Sequence, residues 1–201
     1  MRRVLLAWLI GLLVQLAAQA DSPVTSTDFW AVYSDIPQVQ QAHEKKRLDA
    51  ALVEFLLSNA PLDHKAAAIN ALAWDYQGVP RNWVFFREKL AEKYKLDPDQ
   101  VEPRLTSQES FCLGYITARD SHGSPSFAVP LLKTARKGLP RSFTVALVAT
   151  IVDAQVVRSQ WDKIWPITQK TLRDKSLKMD MRPQARDEIL KYMRLYEKHA
   201  K

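Results

Sequence analysis

Apolar residues recur at helical spacing along nearly the whole chain, and prolines interrupt them at intervals. Between Lys45 and Ser58, Leu48, Leu52, Phe55 and Leu56 fall at i, i+4, i+7 and i+8, with Lys45, Lys46, Asp49 and Glu54 elsewhere. That is the stripe of an amphipathic helix. From Asp63, a candidate N-cap, to Gly78, a candidate stop, Ala66-Ala67-Ala68-Ile69 and Ala71-Leu72-Ala73-Trp74 leave almost no polar face, so this helix is expected to be central and buried. Asn82 is placed to cap a helix with Trp83, Phe86, Leu90 and Tyr94 on one stripe. Thr106-Ser107-Gln108-Glu109 has the spacing of a capping box, and Phe111, Cys112, Tyr115 and Ile116 follow it on the inner face.

Further helices are predicted from Ser124-Pro125 to Gly138 with a kink at Pro130, from Phe143 to Val157 after the cap Ser142, and around Trp161 to Leu172. The last is expected from about Pro183 to Lys198. Phe143 to Val157 is rich in β-branched residues, but 15 residues is long for a strand and ordinary for a helix. Asp153 within it is expected to pair with an arginine of an adjacent helix, since a buried carboxylate needs a partner. Pro61, Pro80, Pro98, Pro125, Pro140 and Pro183 fall between the elements. Short connections favour antiparallel neighbours. The expected fold is all-α: an irregular array of antiparallel helix hairpins, seven or eight helices in number, with a solenoid-like stack as one arrangement it allows. Phe29 and Trp30, in the stretch Asp28 to Tyr33, are expected to dock the N-terminus onto it.

The start of the chain reads as an address. Met1-Arg2-Arg3 is basic, Val4 to Leu16 is an apolar run of 13 residues, and Ala18-Gln19-Ala20 supplies the small residues of a cleavage site. Residues 1–20 are thus expected to be a secretory signal peptide, leaving 21–201 as a single all-helical domain in the periplasm or outside the cell. The apolar run is shorter than the ~20 residues of a spanning helix. Asp21, not Cys, follows the cut, which argues against a lipid anchor.

Composition narrows the chemistry. Five glycines among 201 residues are few, and neither G-x-x-x-x-G-K nor G-x-G-x-x-G occurs, which disfavours nucleotide-binding loops. Cys112 is the sole cysteine, so no intrachain disulfide forms, and it is expected to be a small buried hydrophobe. His43, His64, His122 and His199 are scattered, without metal-ligand spacing. No cofactor or metal is expected, no catalytic residue is assigned, and no nucleic-acid motif is visible. Charge is lopsided: residues 131–201 hold 16 Lys and Arg against 7 Asp and Glu, while residues 21–130 hold 11 against 15. Lys191, Arg194 and Lys198 would form a basic ridge on the last helix, suited to an anionic surface or cell-wall polymer.

Three resemblances bear on function. Ala128, Ala135 and Pro140 are spaced as the small residues and closing proline of the tetratricopeptide repeat, and Ala91 to Pro98 resembles the way such repeats close. Over residues 48–160 this resemblance implies a superhelical stack with a groove for peptides. Cys112-Leu113-Gly114-Tyr115-Ile116 resembles a C-x-G-Y-I stretch of small periplasmic immunity proteins, which neutralise toxins; that family has Gly where this chain has Ala118. Glu109-Ser110 resembles the catalytic pair of lytic transglycosylases, in which the Glu protonates a glycosidic oxygen. The leading expectation is a non-enzymatic binding or adaptor protein for a protein or peptide. Trp74, Trp83, Trp161 and Trp165 are its candidate anchors to test for groove exposure, though the core is the commoner place for all four.

Overall fold

A computed structural model describes residues 22–73 and 82–200. Its described residues form ten α-helices: α1 (Pro23–Ser26), α2 (Pro37–Lys45), α3 (Ala50–Leu57), α4 (Leu62–Ala71), α5 (Asn82–Tyr94), α6 (Ser107–Asp120), α7 (Val129–Gly138), α8 (Phe143–Val156), α9 (Trp161–Arg173) and α10 (Pro183–Met193). Short 3-10 turns occupy Trp30–Tyr33, Pro98–Gln100, Glu102–Arg104, Pro125–Phe127 and Arg194–His199. Among these residues there is no β-strand, only a single backbone bridge between Ser142 and Lys178. The all-α class is as the periodicity requires. The helix number exceeds seven or eight because α1 and α2 precede the stretch in which apolar spacing is strong.

Several boundaries move for identifiable reasons. The helix expected over 45–58 is divided. Lys45 ends α2, Lys46 turns left-handed at φ 59°, and Asp49 caps α3 by accepting from the Leu52 N–H at 2.9 Å. Asp63 lies inside the first turn of α4 rather than before it, and that helix ends at Ala71; the expected stop at Gly78 lies outside the described residues. Asn82 does not cap its own helix: its Oδ1 accepts from Leu48 N–H at 2.7 Å, while Asp120 at the end of α6 receives the Trp83 N–H at 2.8 Å. Pro130 falls in the first turn of α7, where its missing N–H costs nothing, so it does not act as a kink. Thr106 and Ser142 cap as expected, with the full capping box at Thr106 and Glu109. The last helix tightens to a 3-10 turn after Met193.

The core lies between α4, α6 and α8. Alanines 66, 67, 68 and 71 are buried on α4, as are all residues from Phe143 to Val152 on α8. Small side chains let helices close in. A Cβ on Gly114 of α6 would stand 2.9 Å from Leu132 Cγ on α7, closer than two carbons pack. Contacts run across the bundle as well as along the chain: α4 touches α6 and α8, and α1 touches both α8 and α10.

That last contact comes from the N-terminal segment, which is buried rather than laid on the surface. Val24, Thr27, Phe29 and Tyr33 are all wholly inaccessible. An irregular segment taken out of water must have its backbone groups answered. Asn70 of α4 does most of this. Its Oδ1 accepts from Phe29 N–H at 2.8 Å and Trp30 N–H at 3.0 Å; its Nδ2 donates to Thr27 C=O at 3.1 Å and Tyr115 Oη at 3.0 Å. Gln155 of α8 accepts from Val24 N–H at 3.2 Å, and Arg119 of α6 donates to Val24 C=O at 3.1 Å. Farther on, Tyr33 donates to Asp63 at 2.9 Å and accepts from Arg182 N–H at 3.0 Å, and the Arg182 guanidinium grips Asp35 through both oxygens. Replacing Asn70 by Ala strands two buried N–H groups, a carbonyl and a phenol. Asn70→Ala is therefore expected to cost about 2–4 kcal/mol, read as a lowered midpoint in urea unfolding.

Candidate functional site

The three described candidate tryptophans lie in different surroundings. Trp74 lies outside the described residues. Trp165 is buried in the core, and Trp161 is 45% exposed, with Tyr196 and His199 edge-on to it at 6.3 and 4.9 Å. Trp83 is half-buried on α5 and borders a cleft.

That cleft, about 510 Å³, opens between α5, α6 and the Pro125–Phe127 turn leading into α7. Trp83, Leu113, Phe127, Pro130 and Leu131 give it apolar walls; Arg87, Glu102 and Thr117 add polar groups. Arg87 lies over the Trp83 ring at 5.8 Å and also holds Pro98 C=O and the Asp99 carboxylate. Phe127 is 72% exposed, the most exposed large apolar side chain among the described residues. Its place follows from local chain chemistry: Pro125 starts a tight turn, and its three residues per turn swing Phe127 away from the inner face that Ala128 and Leu131 take. In sequence Phe127 stands at i with Leu131 at i+4, like an inward residue of one helix; the 3-10 turn takes it off that stripe.

A second cleft, about 310 Å³, is polar and lies beside the N-terminal segment. Thr25, Asp28, Trp30, Lys46, Asn70 and Arg119 contribute to it. Arg119 was not singled out by its sequence context, which is merely the C-terminal turn of a helix.

Glu109 is 4% exposed, and its surroundings hold it charged. Burial pushes its pKa upward, but hydrogen bonds from Lys93 at 2.5 Å, Tyr94 at 2.7 Å and the N–H and hydroxyl of Thr106, both at 2.8 Å, outweigh burial and bring it below the usual carboxylate range. A general acid needs the reverse shift. Asp153 is less enclosed than its neighbours suggest: it is half-exposed and stands 3.6 Å from Arg136 of α7, the partner on an adjacent helix that its position called for. Burial raises its pKa and Arg136 opposes the rise.

Cys112 is fully buried, and burial pushes its thiol up to about 12, against the pull of nearby Lys65. Lys65 itself, 1% exposed, donates to Ser58 C=O at 2.6 Å and Gln108 Oε1 at 2.9 Å. Burial lowers its pKa first of all. Nothing in its Ala-rich context marks a lysine that must go inside.

Lys191, Arg194 and Lys198 are exposed. Lys191 pairs with Glu188 at 2.6 Å. Arg194 and Lys198 lie on the 3-10 turn that follows the helix bearing Lys191. Among the described residues no group of three or more His, Cys, Asp or Glu is arranged to hold a metal ion, and no helix is long and apolar enough to cross a membrane.

No family model, no curated protein and no solved structure matches the chain.

The Glu109 geometry has a pH signature. Its depressed folded-state pKa means that the carboxylate stabilises the fold above the unfolded-state value and that this contribution fades as pH falls through the folded one. Glu109→Gln is expected to cost about 1–2 kcal/mol at pH 7, with the difference from the unaltered protein shrinking toward pH 3. Urea unfolding at both pH values measures it.

Proposed function

We propose that the chain is an exported, non-enzymatic binding protein that takes a protein or peptide partner in the apolar cleft beside Trp83. The observation that carries this reading is Phe127, held 72% exposed at the edge of a cleft whose other walls are Trp83, Leu113, Pro130 and Leu131. An aromatic side chain left in water next to a concave apolar surface favours a partner that covers both. Arg87 and Glu102 at the same cleft offer charges to fix its orientation. The basic head, apolar run and Ala18-Gln19-Ala20 exit support export. A toxin-neutralising role is the special case in which the partner is a toxin. Glycan cleavage through Glu109 asks that residue to give up a proton it does not hold at neutral pH, so the binding reading is preferred.

Two measurements test the proposal. The purified exported product is expected to begin at Asp21 on N-terminal sequencing. Phe127→Asp is expected to abolish retention of a saturable partner from the exported protein fraction, with the melting temperature within about a degree of the unaltered protein, since an exposed side chain contributes little to the core. Unchanged retention by Phe127→Asp, or a peptidoglycan-cleaving activity lost in Glu109→Gln, overturns it.

A further inference from the structure

Among the described residues, the polar cleft contains a charge that no carboxylate pairs with. Arg119, a guanidinium, is 5% exposed. Its Nη1 donates to Val24 C=O at 3.1 Å and its Nη2 to Leu72 C=O at 2.9 Å, while its Nε has no acceptor. No described carboxylate stands within ion-pairing distance of it. Two neutral carbonyls only partly offset the cost of taking a full charge out of water.

A second cation borders the same space. Lys46, left-handed at the end of α2, extends its ammonium to His43 Nδ1 at 2.7 Å. It also lies 5.9 Å from the centre of the Trp30 ring, which is stacked on His43 at 3.6 Å. Among the described residues the cleft has one carboxylate, Asp28, whose Oδ2 receives the Trp30 indole N–H at 3.1 Å. Among those residues two cations, one of them buried, share the cleft with that acid, which keeps further acceptor capacity. An indole ring supplies an apolar wall between them.

We infer that this cleft binds a small carboxylate that also carries a hydrogen-bond donor, as a free amino acid or short peptide does. Arg119 and Lys46 attract the carboxylate, Asp28 accepts from the ammonium, and Trp30 covers the carbon skeleton. At about 310 Å³ the cleft suits a ligand of that size. It stands apart from the apolar cleft and does not rest on the binding role proposed for it.

The indole N–H of Trp30 reports on the site directly. Its ¹⁵N–¹H resonance is to be followed while L-alanine, L-alanyl-L-alanine or sodium acetate is added at fixed ionic strength and pH 7. A saturable shift with alanine or the dipeptide, weaker with acetate, is expected. Arg119→Gln also removes two structural hydrogen bonds, so the deciding variants are Lys46→Gln and Asp28→Asn, both at exposed positions. Each is expected to raise the dissociation constant roughly fivefold or more with the melting temperature unchanged. No saturable shift, an affinity for acetate equal to that for alanine, or an affinity unaltered in both variants overturns the assignment.

Discussion

The bundle depends on a polar clasp around its own N-terminal segment. Residues 22–33 enter the interior with only short helical turns, so most of their backbone groups cannot satisfy one another. Asn70, Arg119 and Gln155, one each from α4, α6 and α8, answer those groups from three directions. The same three side chains thereby fix the spacing of the helices that make the core. Apolar burial supplies the driving force for collapse but is indifferent to which helix faces which. Hydrogen bonds to a particular N–H or C=O are not indifferent, and an unanswered buried group is costly enough to exclude rearranged packings.

This arrangement also explains where binding surfaces are left. The alanine-rich α4 and Gly114 on α6 permit close approach at the centre. Openings occur where an irregular segment meets a helix: at the Pro125–Phe127 turn, which presents Phe127 outward, and beside the N-terminal segment, which leaves Arg119 at the wall of a cleft. The two differ in character because their walls do. One is made of apolar side chains that a turn has displaced from the core, the other of polar groups recruited to serve a backbone.

Legibility in the sequence followed the range of the interactions. Thr106 with Glu109, and Ser142 with the N–H of Val145, act within one turn, and their spacing alone revealed them. Asp153 and Arg136 are 17 positions apart; the need for a partner was evident, its identity only in outline. Asn82 and Asp120 resembled ordinary helix-end residues, yet each serves a distant backbone group, because a side chain that can cap locally can equally donate or accept elsewhere once another element is near. Of the tryptophans proposed as anchors, Trp165 went to the core and Trp161 to an aromatic cluster with the last turn. Identical helical spacing serves burial and display alike, and which side is covered depends on neighbours.

What the sequence by itself determined is the all-helical class, the capping of α6 and α8, and the burial of the Phe143–Val156 helix, because periodicity and capping act between residues a few positions apart. Only the tertiary structure decided that the N-terminal segment is swallowed by the bundle and that Lys65 and Arg119 go inside. Those outcomes turn on hydrogen bonds and packing between residues 40 to 150 positions apart, whose meeting is fixed by how the helices settle against one another and not by any local pattern.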